Sequence, residues 1–419
     1  MRIIHTADVH LDTPFARHSG AMRRRLQDAG REAFIRLVDL AINEEADALV
    51  IVGDLFDNEW LTITTERVLG DELRRATSAG VTVVYATGNH DPGRANYRAK
   101  NIDWPNQGFY LVNSHQKVEE IAIKRSGVDI GYVIAAGHQT PQETRNLAES
   151  YPTAPSSAPA VALLHTQVTT SPQAPDHEPY APSALADFRG KDYAYWALGH
   201  IHKRQTVSEN PLAVYPGNLQ GRHFGETGAK GALVVDLASG AVTETRFVPL
   251  AAVRWEILLI DNLAEARSIT DLQAAVRTAF ADLTTSDKDV VADQEWILRV
   301  ELSGSCPLVD TLRRDEERND LAEHLRNALG VLDVEVRDVG LHRPLDLAEH
   351  RGQQHVLGVA LDLVESARSD DELLQQLEPE ALANRNEYPE GPKRLRYLRE
   401  LLEGMDVAAA ESFLREDRS

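Results

Sequence analysis

The side chains best suited to chemistry fall in five short stretches: DVH at 8–10, GDLFD at 53–57, GNHD at 88–91, VALLHT at 161–166 and GHIH at 199–202. Asp8 and His10 lie two residues apart, as do His200 and His202, a spacing that puts both side chains on one side of an extended segment. Asp54 follows a glycine that lets backbone approach an ion, and a carboxylate there can bridge two cations. Asn89 offers a neutral oxygen. His90, as an imidazolium, can stabilise a transferring phosphoryl group or protonate a departing oxygen, with Asp91 to orient or polarise it. Asp57 reads as an outer carboxylate or a helix N-terminal residue. Each stretch alone has a plain alternative, since Gly-Asp and Asn-His-Asp-Pro-Gly are turn sequences and a histidine ending a strand is often a core group. Together, Asp8, His10, Asp54, Asn89, His165, His200 and His202 form a mixed imidazole and carboxylate set. Such a set suits two ions of Mn²⁺, Fe²⁺ or Zn²⁺ better than an all-oxygen Mg²⁺ or Ca²⁺ site. Two ions about 4 Å apart would activate a water and clamp phosphoryl oxygens for in-line attack.

The elements that must position these groups are legible as apolar runs. RIIHT at 2–6, ALVIV at 48–52, VTVVYA at 81–86, VALLHT and DYAYWALGHIH at 192–202 each read as a strand running into a chemical stretch. Helical periodicity fills 21–46 and 62–79 between the first three. Strand, ligand and helix therefore repeat, which predicts a layered α/β domain with its site along one sheet edge. GFYLVNS and VEEIAI suggest short strands, and 127–137 a strand pair or one long strand. A short helix and then a loop is expected over 138–160, and a polar excursion across the active face over 167–183. LAVYPG, KGALVVDL and VTETRFVPL read as closing strands of the second half. A boundary near 250 opens a smaller α/β pattern to 343, with strands at 255–260, 295–302 and 332–339 and helices at 264–280 and 308–328. Polar amphipathic helices follow at 353–368, 370–376 and 393–415, separated by prolines.

Composition sets outer limits. At 419 residues, two or three domains are expected. A net charge of −21 opposes long-range attraction of polyanions, although bound divalent ions invert charge locally, so nucleic acid remains open as a substrate. The single Cys306 permits no intrachain disulfide, which fits a reducing cytoplasm, and no run is apolar enough to predict a membrane span. There is no GxxxxGK[ST] loop for nucleotide hydrolysis and no dinucleotide fingerprint.

DVH, GDLFD, GNHD, His165 and GHIH, in this order, resemble the calcineurin-like metallophosphoesterases, and most of all the Mre11/SbcD DNA-repair nucleases and their bacterial DNA repair exonuclease relatives. YPGNLQGRHFGETGAKGALVVDL at 215–237 supports the narrower resemblance, which covers about residues 1–245. It implies a sandwich of two β-sheets flanked by helices at 1–250, a capping α/β domain at 251–343 and a helical C-terminal region at 344–419 available to a partner. It implies that Asp8, His10 and His202 hold one ion and Asn89, His165 and His200 a second, with Asp54 bridging and His90 facing the scissile phosphate. Thr166 departs from the glycine that many members carry after the histidine matched by His165.

The implied activity is a Mn²⁺-dependent DNA exonuclease, 3′ to 5′, with structure-dependent endonuclease activity also expected. The implied partners are DNA, an SMC-like coiled-coil ATPase and a second copy of the chain, with no membrane. Arg94, Arg204, Arg222 and His223 are candidate phosphate contacts, with Arg98, Lys203 and Lys230 beside them. Tyr97, Trp104 and Phe109 are the candidate stacking aromatics. Two other readings use the same ligands: a phosphoesterase for small phosphodiesters, nucleotides or phosphoproteins, and a noncatalytic DNA clamp on the ATPase.

Overall fold

A computed structural model describes residues 1–57, 61–93, 102–169, 180–238, 240–344, 347–377, 392–407 and 409–410. The chain divides into two compact units. The first comprises Met1–Ile257, Thr284–Leu298 and Val331–Asp333, and the second comprises Leu258–Leu283, Arg299–Gly330 and Val334–Ser419.

The first unit holds two six-stranded sheets. Strands β1 (Arg2–Thr6), β2 (Ala48–Val52), β3 (Thr82–Ala86) and β4 (Phe109–Val112) run parallel in one of them. The second sheet contains β5 (Glu119–Arg125), β6 (Val128–Ala136), β7 (Ala160–His165), β8 (Tyr195–Gly199), β9 (Gln205–Glu209) and β10 (Leu212–Tyr215), in the order β5–β6–β7–β8–β10–β9. Its central strands β6, β7, β8 and β10 are parallel and its edges antiparallel. β11 (Gly231–Ala238) and β12 (Ala241–Pro249) then return to the first sheet, giving the order β12–β11–β1–β2–β3–β4. The expectation that these two close the second half is therefore corrected. β11 pairs antiparallel with β1, and the Met1 ammonium donates to the Leu237 carbonyl at 2.8 Å. Polar QTVSE, which forms β9, gives no apolar run and was not foreseen. The helix expected after 138 is only a 3₁₀ turn at Leu147–Ser150.

Side-chain alternation explains the layers. Ile4, Leu49, Ile51, Val83 and Tyr85 face helices α1 (Gly20–Asn43) and α2 (Ile63–Ser78). Helix α1 buries Leu26, Ala29, Ala33, Phe34, Leu37, Val38 and Ala41, a stripe at helical spacing. Thr62 caps α2 by accepting the Thr65 N–H at 3.2 Å. The alternate residues Ile3, Ala48, Val50, Val52 and Val84 pack instead against Val133, Val161, Leu163 and Ala197 of the second sheet. On that sheet's outer face Trp196 and Leu198 meet Tyr151, Phe188 and Tyr193. Strands β2, β7 and β8 are buried throughout, as parallel strands covered on both faces must be.

Strands β13 (Val253–Ile260), β14 (Glu295–Ser305) and β15 (Asp333–His342) form a three-stranded sheet in that order. Within the second unit, helix Asp315–Leu329 ends at Gly330, whose φ of 67° supplies the left-handed stop. Helices Val356–Ser369, Asp371–Gln376 and Pro392–Leu401 follow. Among the described residues no helix is long and apolar enough to cross a membrane.

Candidate metal centre

The strand ends do not deliver their ligands on extended backbone. Asp8, His10, Asp54 and His200 have φ of 51°, 48°, 51° and 107°, in the left-handed region that side chains other than glycine seldom adopt. The expected extended Asp-x-His and His-x-His geometry is thus replaced by sharp turns that aim successive side chains at one point. The turns are held by backbone hydrogen bonds between neighbours: Asp8 N–H donates to Gly53 O at 3.2 Å and His10 N–H to Asp54 O at 2.9 Å.

Residues from both sheets meet there. Asp8, His10 and His202 offer ligand atoms within 4.8 Å of one another, as do Asp8, Asp54 and His165. His10 Nε2 lies 3.2 Å from His202 Nε2, and His202 Nε2 is 3.9 Å from Asp8 Oδ1. Asn89 Oδ1 is 2.9 Å from His165 Nε2 and 3.2 Å from His200 Nδ1. Asp54 Oδ2 stands between the two groups, 3.7 Å from His10 Nε2 and 3.5 Å from His165 Nε2.

Hydrogen-bond partners indicate which atoms carry lone pairs. His165 Nδ1 donates to the Val52 carbonyl at 3.0 Å, so its Nε2 is an acceptor facing another acceptor, Asn89 Oδ1. His202 Nδ1 lies 2.7 Å from the Glu226 carboxylate and 3.0 Å from Arg222 Nη2, so its outer nitrogen is held by that pair while Nε2 faces His10 and Asp8. Acceptors crowded this closely need positive charge among them, and the donor set fits divalent cations. The electrostatics agree. Burial and the neighbouring Asp54 charge push the Asp8 carboxyl well above the usual carboxylate range. Burial lowers His10 and His165 and takes His202 down to about 3, favouring the neutral imidazoles that ligate metals.

His90 is the open member of the site, with its side chain 37% exposed. Its Nδ1 contacts Asp57 Oδ1 at 2.7 Å. Burial alone would lower its pKa, but the Asp57 hydrogen bond and the charges of Asp54 and Asp57 together raise it. Asp57, and not Asp91, therefore orients the ring. Asp91 is buried and accepts from Leu55 N–H and Gly88 N–H, both at 2.6 Å, and from the Tyr85 hydroxyl. It ties the loop after β2 to the loop after β3, and burial with the Asp54 charge raises it to about 7.

The candidate phosphate contacts separate. Lys203, Arg204 and His223 are exposed, and Arg204 lies over the Phe247 ring at 3.6 Å. Arg222 is turned inward onto Glu226 and Asp57, and Lys230 is buried with its Nζ on the His202 carbonyl at 3.0 Å. Trp104 and Phe109 stack on each other against the first core, so they are not open to bases. Arg94, Tyr97 and Arg98 lie outside the described residues. Thr166 donates to the Ala181 carbonyl at 2.6 Å, tying the end of β7 to the excursion.

Two participants were missed. His138 follows an apolar strand and a glycine, the same signal that marks the ligands. Its Nε2 lies 2.7 Å from the His165 carbonyl, so it supports a ligand's backbone. Glu226, the partner of His202, was visible only as one acid in a glycine-rich stretch.

The family profile described as "Calcineurin-like phosphoesterase" matches residues 1–204, and one described as "Metallophosphoesterase YhaO, middle domain" matches 255–339. The chain is similar to the uncharacterized metallophosphoesterase YhaO of Bacillus subtilis (strain 168), with 30% identity over 311 residues covering 73% of this chain and 72% of the relative. Similarity extends to a subunit of the SbcCD nuclease of the same organism, 26% identical over 338 residues, covering 70% of this chain and 81% of that one. The DNA double-strand break repair protein Mre11 of Sulfolobus acidocaldarius is 22% identical over 345 residues, covering 78% and 81% respectively.

Proposed function

This chain belongs to the calcineurin-like phosphoesterases, a fold that binds two divalent metals, and from that premise we propose that it is a two-metal DNA phosphodiesterase acting as an exonuclease in DNA repair. The observation that carries the reading is the meeting of imidazole nitrogen and carboxylate groups from both sheets beside the open, Asp57-paired His90. Asp8, His10 and His202 would hold one ion and Asn89, His165 and His200 the other, with Asp54 shared. The mixed donors suit Mn²⁺, with Fe²⁺ and Zn²⁺ next. When bound, such a pair supplies Lewis-acid activation of water and neutralises phosphoryl charge.

The chain's own residues do the rest. Asp57 favours the charged form of His90, and as an imidazolium the ring would donate its proton to the departing oxygen. Arg204, Lys203 and His223, exposed near the last ligands, offer contacts to backbone phosphates. DNA as the substrate draws support from similarity to proteins named as a DNA double-strand break repair protein and as a nuclease subunit, while the 3′ to 5′ direction, an SMC-like ATPase partner and a reducing cytoplasm stand on the sequence reading alone. The apolar stripe Val356, Val359 and Leu363, exposed on one helix, would suit a docked partner helix or a second copy.

The −21 charge favours one competing reading, a phosphoesterase for small phosphodiesters or nucleotides. End-labelled DNA and a small chromogenic phosphodiester, each incubated with Mn²⁺ and either wild type or His90→Ala, decide between them. Shortening of DNA by wild type and its loss in the variant are expected. Turnover of the small diester alone would overturn the DNA assignment, and bound metal with no turnover, even with the ATPase present, would leave a clamp.

A further inference from the structure

Arg222 was expected at the substrate, but its surroundings assign it elsewhere. Its Nη2 donates to Glu226 Oε1 at 2.8 Å and its backbone N–H to Glu226 Oε2 at 2.8 Å. On the other side its Nη1 lies 3.8 Å from Asp57 Oδ2. The guanidinium is mostly enclosed, with 14% of the side chain exposed. Glu226 is buried too, and its Oε1 is the acceptor 2.7 Å from His202 Nδ1, while Asn218 Nδ2 donates to Oε2 at 2.9 Å. Arg222 Nη2 also comes within 3.0 Å of His202 Nδ1, so ring, guanidinium and carboxylate are packed as one group. At the far end Asp57 Oδ1 holds His90 Nδ1 at 2.7 Å.

We propose that Arg222 and Glu226 are positioning residues: a buried ion pair that fixes the aim of His202 at one end and, through Asp57, the aim of His90 at the other. One tie thus sets the register between a metal ligand and the proton donor, and Arg222 is unavailable to substrate phosphate. The physical reasons are separate for the two ends. A carboxylate on the outer nitrogen of a ligating imidazole makes the inner nitrogen a better and better-aimed donor. Arg222 hydrogen-bonds Glu226 with its forked donors and balances the Asp57 charge from 3.8 Å, so the same cation steadies both carboxylates. The kinetic half of this inference rests on the phosphodiesterase reading. The metal half does not.

The test uses the full chain stripped of metal. Calorimetric Mn²⁺ titration of Glu226→Gln, which keeps shape and removes charge, should show one of two ions weakened about ten- to a hundredfold, with the other unchanged. Steady-state kinetics of Arg222→Lys, on whichever phosphodiester wild type turns over, should show kcat down about tenfold or more with KM nearly unchanged. Equal binding of both ions by Glu226→Gln would overturn the His202 end, and Arg222→Lys with raised KM and retained kcat would make Arg222 a phosphate contact after all. Circular dichroism of each variant excludes misfolding as the cause, and if either fails to fold the other still decides its own end. Wild type that binds two Mn²⁺ but leaves DNA intact would sink the DNA assignment while the Glu226 result stands.

Discussion

Single atoms decide whether the ligands can meet. A Cβ at Gly88 would lie 2.2 Å from Asp54 Oδ1, and one at Gly53, where φ is also +78°, 2.1 Å from His165 Nδ1. Both glycines are there because ligand side chains occupy the space of a methyl group. Gly88→Ala is therefore expected to lose most of its bound metal while keeping the far-ultraviolet circular dichroism of a folded chain, and metal analysis after dialysis checks it. Retention of both ions would show that Asp54 can shift without loss. Asp54→Ala should deplete both ions together, since its carboxylate stands between the two donor groups. At this scale the sequence was informative about identity and silent about pairing. The residue types of Asp8, Asn89 and His202 led to the expectation of metal chemistry, and the structure brings them into one cluster. That His90 leans on Asp57 and not on its neighbour Asp91 depends on how two loops are folded against each other, which adjacency in sequence cannot convey.

Elements carry the next constraint, and His5 exposes it. It sits on β1 in one sheet, yet its ring reaches β8 in the other, with Nδ1 2.9 Å from the Tyr195 hydroxyl and Nε2 3.2 Å from the Leu198 carbonyl. Burial drives its pKa down to about 3, against the smaller opposing effect of the Leu198 hydrogen bond. The unfolded chain binds a proton near pH 6.5 that the folded chain refuses until about pH 3, so stability contributed by neutral His5 is lost as pH falls through that window. The slope is about 1.4 kcal/mol per pH unit at most. Urea unfolding of chelator-treated protein between pH 7 and 5 should show this loss, and His5→Gln should flatten it. An unchanged slope would remove His5 from the acid response. Strands such as β2 and β7 could be read from the sequence because burial on both faces leaves only apolar residues. The sheet to which β11 and β12 belong could not, because strand order is fixed by which edge is free when the chain arrives, and composition does not record that.

For the whole molecule, metal bound at the candidate centre would be linked to folding through the first unit. Ligands that bind only the folded state stabilise it, by about 2.7 kcal/mol at a hundred times Kd. Mn²⁺ added to metal-free chain is therefore expected to increase hydrogen-exchange protection at 8–10, 53–57, 88–91 and 199–202, and to leave helix Val356–Ser369 as it was. Protection spreading equally to that helix would contradict two units with separate cores. The sequence suggested a change of pattern after 250, but the return of Thr284–Leu298 and Val331–Asp333 to the first unit was not legible there, since it depends on contacts such as the Glu295 N–H on the Ala252 carbonyl.

Because one candidate donor group draws on β1, β2 and β8 and the other on β3, β7 and β8, the candidate metal centre lies on the seam between two sheets, and ions held there would act as its gauge. Thinning the seam far from the chemistry, as Leu163→Ala would by opening a void among Val50, Val161 and Ala197, lets one sheet drift against its neighbour. A drift too small to disturb any strand would still part nitrogen from oxygen at the rim. Affinity for the ions would then fall before the fold does, so metal binding would report strain between the sheets that the strands themselves conceal.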